Sequence, residues 1–161
     1  HKGTVYSVPF SADGSKLISA GTDKEVILWD LAGGQEIRRL AGASEQLYQV
    51  AFLSGDKQVI AAGVDRVVRV WDIETGNVAQ SLEGHSDEIY GLSIRPDGAK
   101  FATAGNSGQI IIWDKASSQK VLDTKIGGEA YTVSYRPDGQ QLAVGSANGK
   151  IYLIDLPDTA K

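Results

Sequence analysis

The sequence predicts an all-β protein made of four copies of one antiparallel, four-stranded unit, and three recurring features support that fold class. The first is a Trp-Asp pair, with Ile-Asp in the last copy: Trp29-Asp30, Trp71-Asp72, Trp113-Asp114 and Ile154-Asp155. The second is a turn signal: Ser11-Ala12-Asp13-Gly14, Leu53-Ser54-Gly55-Asp56, Arg95-Pro96-Asp97-Gly98 and Arg136-Pro137-Asp138-Gly139. The third is another turn signal: Ala20-Gly21-Thr22-Asp23, Ala62-Gly63-Val64-Asp65, Ala104-Gly105-Asn106-Ser107 and Gly145-Ser146-Ala147-Asn148. A pattern that returns at a nearly constant interval indicates a repeat architecture.

Each copy is expected to contain three short strands that end at the Trp-Asp pair, followed by a fourth strand. The third strands are apolar, β-branched runs at residues 26–29, 67–71 and 110–113, which are too short for helices. Because they are apolar on both sides, we expect them to be buried on both faces. The Asp-Gly pairs tolerate positive φ and predict tight turns between antiparallel strands. Residues 35–41 and 77–82 are expected to form outer strands.

Composition and charge exclude several classes of protein. The chain of 161 residues has no apolar run of about 18 residues, so no transmembrane helix is expected, and no signal peptide is recognisable. It has no cysteine, which excludes disulfides, thiolate metal sites and a Cys nucleophile. Its net charge is −4 and its 16 Lys and Arg residues are scattered, whereas phosphate binding needs clustered basic residues. We therefore expect a soluble chain without nucleic-acid or membrane partners. The sequence does not determine the cellular compartment, although the cytoplasm is slightly favoured.

Over nearly its whole length the chain resembles the WD40-repeat β-propellers. Besides the Trp-Asp pairs, Gly84-His85 matches the family's Gly-His pair, and His1 lies at the same offset in the first repeat. Ala43 and Ile126 occupy that position in the second and fourth repeats, which depart from the pattern. The resemblance implies four-stranded blades at residues 1–42, 43–84, 85–126 and 127–161. The last blade is expected to lack its outer strand.

The resemblance also implies a buried tetrad in each blade, in which Trp, Ser or Thr, His and Asp are joined by hydrogen bonds. By offset, the first repeat has the whole set and the third has Ser in place of Asp: His1, Ser19, Asp23 and Trp29, then His85, Thr103, Ser107 and Trp113. The second repeat keeps only Asp65 and Trp71, opposite Ala43 and Ala61. In the fourth repeat Val144, Asn148 and Ile154 replace the other members. These residues are interpreted as structural.

An enzymatic interpretation finds little support in the sequence. His, Ser and Asp in one domain could form a hydrolase triad, but the repeat accounts for all three residue types. The turn carboxylates stand singly, whereas a calcium loop needs several oxygen ligands in one loop. The glycine-rich turns are not followed by a helix that could bind phosphate. We therefore predict no catalytic residue, no metal site and no cofactor.

Four tyrosines share one register position near the start of the first strand of each repeat: Tyr6, Tyr48, Tyr90 and Tyr131. Tyrosine offers a rigid, amphipathic surface that suits protein interfaces. Two sets of variable positions nearby would complete such a surface. The first set lies two residues before each Tyr: Thr4, Gln46, Glu88 and Glu129. The second set lies in the turn between the second and third strands: Thr22, Val64, Asn106 and Ala147. Alternatively, each Tyr packs on the neighbouring blade, or the register reflects a recent duplication.

The number of repeats bears on both architecture and partners. The resemblance implies rings of seven or eight blades, occasionally six, so four blades would form about half a circle. The chain is expected to be part of a larger propeller, because it begins and ends within a repeat and lacks Met; a dimeric eight-bladed ring and a closed four-bladed ring are alternatives. We expect a non-catalytic scaffold that binds a protein or peptide of unknown identity beside the central channel. Alternatively, it is an accessory domain of a larger enzyme or redox protein whose active site lies outside the chain.

Overall fold

The structure is a computed structural model that describes residues 1–53, 55–157 and 160, and the regular elements named in it are all β-strands. In chain order they are β1 (Val5–Ser7), β2 (Lys16–Gly21), β3 (Val26–Asp30), β4 (Gln35–Leu40), β5 (Leu47–Phe52), β6 (Gln58–Gly63), β7 (Val67–Asp72), β8 (Val78–Glu83), β9 (Ile89–Ile94), β10 (Lys100–Gly105), β11 (Gln109–Asp114), β12 (Lys120–Lys125), β13 (Ala130–Tyr135), β14 (Gln141–Ser146) and β15 (Ile151–Asp155). The predicted all-β class is confirmed.

The strands form four antiparallel sheets, each a meander of consecutive strands. Three sheets have four strands, in the orders β1-β2-β3-β4, β5-β6-β7-β8 and β9-β10-β11-β12. The fourth has three strands in the described residues, in the order β13-β14-β15. The missing outer strand of the last sheet was expected from the sequence. The blade boundaries themselves stay a prediction.

Short polar turns join the first and second strands of the sheets, as the Asp-Gly pairs predict. Gly14 has φ 70°, Gly98 69° and Gly139 70°, a left-handed conformation that favours glycine. The preceding Asp accepts a hydrogen bond from the backbone two residues on, as Asp13 does from the N–H of Ser15 at 2.9 Å. In the second repeat Ser54 of the predicted turn lies outside the described residues.

The chain divides into two compact units, residues 1–83 and 84–161, each containing two sheets and its own core. The core of the first unit includes Ile18, Val26, Leu28, Leu47 and Trp71. The core of the second includes Ala102, Ile110, Ile112, Leu142 and Val144. Burying one such Leu or Ile side chain contributes about 1.5–3 kcal/mol to the free energy of unfolding, so these side chains stabilise both units.

Within each unit the first strands of the two sheets lie side by side. In the first unit the N–H of Val50 in β5 donates to the hydroxyl of Ser7 in β1 at 3.3 Å. In the second unit the N–H of Tyr135 in β13 donates to the hydroxyl of Ser93 in β9 at 3.1 Å. Serine thus joins neighbouring sheets at equivalent strands, and the residues that begin those strands are brought to one edge of each unit.

The third strands are less uniformly buried than their composition predicts. The strand β11 is buried from Gln109 to Trp113, as expected for a strand covered on both faces. In β7, however, Val67 and Arg69 are not completely buried. In β15, Ile151 is 77% exposed and Leu153 is 65% exposed, because no described strand covers that side of the sheet.

Candidate functional site

The first repeat contains a continuous chain of side-chain hydrogen bonds. The imidazole Nδ1 of His1 lies 2.8 Å from a carboxylate oxygen of Asp23, and its Nε2 lies 2.6 Å from the hydroxyl of Ser19. The indole N–H of Trp29 donates to the same hydroxyl at 2.8 Å. Asp23 also accepts the backbone N–H of Lys2 at 2.8 Å. These four side chains are thus arranged as the tetrad that the resemblance implies.

The Ser-His-Asp geometry of this repeat is that of a buried structural network. The side chain of Ser19 is 3% exposed, and its oxygen already accepts the indole N–H of Trp29. A nucleophile must instead present its oxygen to a bound substrate. Because the hydroxyl faces the core, the arrangement joins β2, β3 and the segment before β1.

In the third repeat Ser107 does not replace the tetrad Asp, so that expectation is wrong. His85 Nε2 lies 2.7 Å from the hydroxyl of Thr103, which accepts the indole N–H of Trp113 at 2.9 Å. The hydroxyl of Ser107 instead pairs with Ser86 at 3.1 Å, since its side chain is shorter than a carboxylate. His85 Nδ1 is buried and has no partner in the described residues. Burial lowers the pKa of His85 to about 4, so this imidazole is neutral at pH 7.

Gln109, two residues further along, takes over part of the role of the missing carboxylate. Its amide oxygen accepts the backbone N–H of Ser86 at 3.1 Å, the donor equivalent to that of Lys2 in the first repeat. Its amide nitrogen donates to Asp123 of β12 at 2.7 Å. The sequence signal was a polar residue opening an apolar strand, which the offset comparison overlooked.

In the second repeat Arg69 fills the space left by the absent His and Ser. Arg69 lies directly across the ladder from Ala61, the position of Ser19 in the first repeat. Its guanidinium donates to Asp65 at 2.5 Å, and both side chains are nearly buried. Burial would raise the pKa of Asp65, but hydrogen bonds from Arg69, Ser44 and Val67 together hold it below its usual value. The Trp71 indole donates to the carbonyl of Ala41 at 2.8 Å.

The fourth repeat uses the equivalent third-strand position in the same way. Tyr152 lies across the ladder from Val144, and its hydroxyl donates to the carbonyl of Gly127 at 2.9 Å. The side-chain amide of Asn148 donates to the Tyr152 hydroxyl oxygen at 2.9 Å. Asn148, at the turn position of the tetrad Asp, is thus hydrogen-bonded to the residue on the third strand, as Asp65 is in the second repeat. In the two repeats that keep His, this third-strand position is Ile27 or Ile111. A lone polar residue in an apolar strand was the signal that could have revealed the replacement.

All four register tyrosines are bulge residues of their first strands. In β1, Val5 pairs with Gly21 and Ser7 with Ala20, which leaves Tyr6 without a cross-strand partner. The same register shift occurs at Tyr48, Tyr90 and Tyr131 in β5, β9 and β13. A β-bulge increases the local twist and redirects the side chain that it carries. The bulge is therefore a shared device that sets the direction of each tyrosine.

In the first three repeats the glycine that ends the second strand makes room for the bulge. A Cβ on Gly63 would lie 2.0 Å from the carbonyl oxygen of Gln46, and one on Gly21 would lie 2.1 Å from that of Thr4. These carbonyls accept the N–H of the following turn residue, Thr22 or Val64, at 2.9 and 3.0 Å. In the same way, the backbone carbonyl of Glu88 accepts the N–H of Asn106 at 2.9 Å, and that of Glu129 accepts the N–H of Ala147 at 3.1 Å. The two sets of variable positions identified in the sequence are thus neighbours.

We define the tyrosine edge of a unit as its bulged tyrosines together with these variable positions. In the first unit the rings of Tyr6 and Tyr48 meet edge to face with centroids 5.4 Å apart. In the second unit Tyr90 and Tyr131 are tilted, with centroids 5.0 Å apart. Tyr6 is 47% exposed and Tyr131 is 50% exposed. Each ring therefore packs on its counterpart in the neighbouring sheet, as the alternative interpretation held, while two keep about half their surface in solvent.

The variable side chains of the second unit are organised around a shallow cleft of about 450 Å³. The cleft is lined by Asn106, Ser107, Gly128, Glu129, Ala147 and Asn148. Asn106 donates to Asp87 at 2.9 Å, and the Tyr90 hydroxyl donates to Glu88 at 3.1 Å. In the first unit Gln46 is half-buried, and its backbone carbonyl accepts the N–H of Val64 at 3.0 Å. In the second unit the predicted residues Glu88, Tyr90 and Asn106 are thus neighbours, and their role in binding stays a prediction.

The described residues contain neither a membrane-spanning helix nor a group of metal ligands. No helix there is long and apolar enough to cross a membrane. No group of three or more His, Cys, Asp or Glu side chains in that part of the chain is arranged to hold a metal ion.

Four antiparallel sheets of one strand order, with a tetrad or its replacement in each, define a repeat protein built of β-propeller blades. The chain belongs to the family described as WD domain, G-beta repeat, whose profile matches residues 1–30, 34–72, 76–114 and 119–155. Members of this family are typically non-catalytic scaffolds that mediate protein–protein interactions.

A similar protein is the mRNA export factor GLE2 of Chaetomium thermophilum, which is 50% identical over 38 residues. The match covers 24% of this chain and 11% of that protein. The similarity is thus about one repeat long, and the chain covers much less than two thirds of that relative.

Proposed function

We propose that this protein is a non-catalytic scaffold that binds a protein or peptide partner through its tyrosine edges. The observation that carries the proposal is the bulged tyrosine in every repeat, with Tyr6 and Tyr131 about half exposed. Tyr is enriched at interface hot spots because it offers a large rigid surface with a polar end. A bulge redirects the side chain that it carries, so its recurrence at the same tyrosine in four repeats supports a role for these rings at a binding surface.

The proposal is tested with peptides selected from a displayed random library on the immobilised chain. Tyr6→Ala and Tyr131→Ala should each weaken the selected peptides, because truncating an interface aromatic typically costs more than about 1 kcal/mol. Leu31→Ala is the control, since Leu31 is 41% exposed and lies in the turn after β3, outside the tyrosine edge. Thermal unfolding of each variant separates lost binding from lost folding. Unchanged binding in both variants would contradict the proposal.

We further propose that the exposed strand surfaces of the first and last sheets pack against further blades. In the described residues β15 pairs on one side only, and Ile151 and Leu153 are largely exposed. In the first sheet Val8 is 51% exposed and Phe10 is 64% exposed. Open strand edges and apolar surface of this kind favour association.

Light scattering coupled to size exclusion tests this second proposal. The chain alone should show a mass that rises with concentration from 17.1 kDa, because apolar surface stays uncovered. A discrete species of twice that mass would identify a second copy as the covering partner instead. A monodisperse 17.1-kDa species at every concentration, without binding of a hydrophobic dye, would contradict both forms of the proposal.

A further inference from the structure

The tyrosine edge of the second unit carries two carboxylates, Glu88 and Glu129, at positions that are neutral in the first unit. Asp87 and Glu88 precede β9, and Glu129 precedes β13. The positions of Glu88 and Glu129 are occupied in the first unit by Thr4 and Gln46, which are neutral. The two tyrosine edges therefore differ in charge although they share the bulge geometry.

Glu129 contributes the charge of the cleft in the second unit. Glu129 is charged, whereas the other residues that line the cleft are neutral. Its side chain is exposed, and no Lys, Arg or His of the described residues forms an ion pair with it. Asp87 stands beside the cleft and accepts hydrogen bonds from the side chain of Asn106 and the backbone of Glu88, both neutral donors. Lys150 follows the neighbouring turn and makes no ion pair with either carboxylate. The cleft therefore has a net negative charge that the described part of the chain leaves uncompensated.

The aromatic surface beside these carboxylates is suited to a cation. Tyr131 follows Glu129 by two residues, is 50% exposed, and leans on Tyr90 with 5.0 Å between ring centroids. The face of a tyrosine ring attracts Lys or Arg within about 6 Å, by about 0.5–1 kcal/mol at exposed sites. The Tyr90 hydroxyl donates to Glu88, which fixes the partner ring on which Tyr131 packs.

We infer that the tyrosine edge of the second unit binds a basic side chain, Arg or Lys, presented by a peptide partner. The cation lies against the ring of Tyr131 while Glu129 pairs with it in the cleft. A cleft of about 450 Å³ accommodates one such side chain and the backbone that carries it. This inference rests on the proposed function, and it gives the second unit a charge preference that the first does not have.

The test uses nuclear magnetic resonance titrations of the whole 161-residue chain with capped pentapeptides, Gly-Ser-Xaa-Ser-Gly, in which Xaa is Arg, Lys, Gln or Glu. The Arg and Lys peptides should shift the amide resonances of Glu129, Ala147 and Asn148, and the Gln and Glu peptides should not. Glu129→Gln and Tyr131→Leu should each weaken the Arg peptide about two- to fivefold. Glu74→Gln, an exposed Glu on another turn, should leave its affinity unchanged. Added salt should weaken the binding.

The outcomes separate this inference from the proposed function. Equal affinity of the Arg and Gln peptides, or an unchanged affinity in Glu129→Gln, would overturn the preference for a cation. If the Gln or Glu peptide alone shifts these resonances, the edge binds peptides but the charge assignment is wrong. If all four peptides leave both tyrosine edges unperturbed while selected library peptides still bind elsewhere, the inference and the proposed site fall together.

Discussion

Replacing Arg69 with Leu should destabilise the protein by leaving a carboxylate buried without its cation. The side chains of Asp65 and Arg69 are 6% and 12% exposed, and removing one partner of a buried pair costs about 3–5 kcal/mol. Asp65 keeps hydrogen bonds from Ser44 and Val67, so we expect a smaller loss of about 2 kcal/mol. Arg136→Leu is the control, because the Arg136–Asp138 pair is half exposed and should contribute less than about 1 kcal/mol.

The measurement is urea unfolding followed by tryptophan fluorescence at several pH values. Hydrogen bonding holds the pKa of Asp65 below its usual value, so its stabilisation is present above the unfolded-state pKa of about 3.9. That stabilisation is lost as the pH falls through the folded-state pKa. The difference between wild type and Arg69→Leu should therefore be largest near pH 7 and smaller in acid.

A designed rescue makes the reasoning about Arg69 refutable. Combining Arg69→Ile with Ala43→His and Ala61→Ser installs the residues of the first repeat around Asp65 and Trp71. If Arg69 does the work of the absent histidine, this triple variant should recover most of the stability that Arg69→Leu loses. A loss in Arg69→Leu no larger than in Arg136→Leu, or a triple variant no more stable than Arg69→Leu, would refute the argument.

Three further predictions concern the third tetrad and the bulges. Burial lowers the pKa of His85 to about 4, so between about pH 4 and 6.5 the unfolded chain binds more protons than the folded chain. Stability should therefore rise as the pH rises across that window, and His85→Gln should flatten this slope in urea titrations. Ser107→Asp should raise the pKa of His85, because it places an opposite charge near the unpartnered Nδ1; a histidine resonance titration measures this, and an unmoved pKa would contradict it. Gly63→Ala should cost more than about 2 kcal/mol by calorimetry, because its Cβ would lie 2.0 Å from Gln46, whereas Gly14→Ala, with open space around it, should cost about 1 kcal/mol; equal costs would exclude the close approach as the cause.

The fold could be predicted from sequence because its determinants are local. Each sheet is a meander in which strands that are consecutive in the sequence pair with each other. The turn at Asp97-Gly98 and the strand that ends at the Trp113-Asp114 pair can therefore be predicted from short stretches of sequence. Offsets between repeats also located the members of the first tetrad. The same offsets could not show which residues face each other across a ladder, since that depends on register.

The register explains where sequence comparison did not suffice. Arg69 and Tyr152 reach the tetrad space from the strand opposite the vacant position, so they are found only by pairing Ala61 with Arg69 and Val144 with Tyr152. Ser107 was assigned by offset, but its side chain is too short to reach His85. The tyrosine register was visible, whereas the bulge that directs each ring required the strand pairing.

At each bulge the residues that form the hydrogen-bonded ladder are different from the residue whose side chain is exposed at the edge of the sheet. A bulged tyrosine has no opposite residue in the ladder, so its replacement removes no cross-strand pair and disturbs mainly its ring partner. The neighbouring glycine preserves the backbone path whatever side chain the bulge carries. The first three repeats therefore each offer one position at which new specificity could be installed by redesign at little thermodynamic cost.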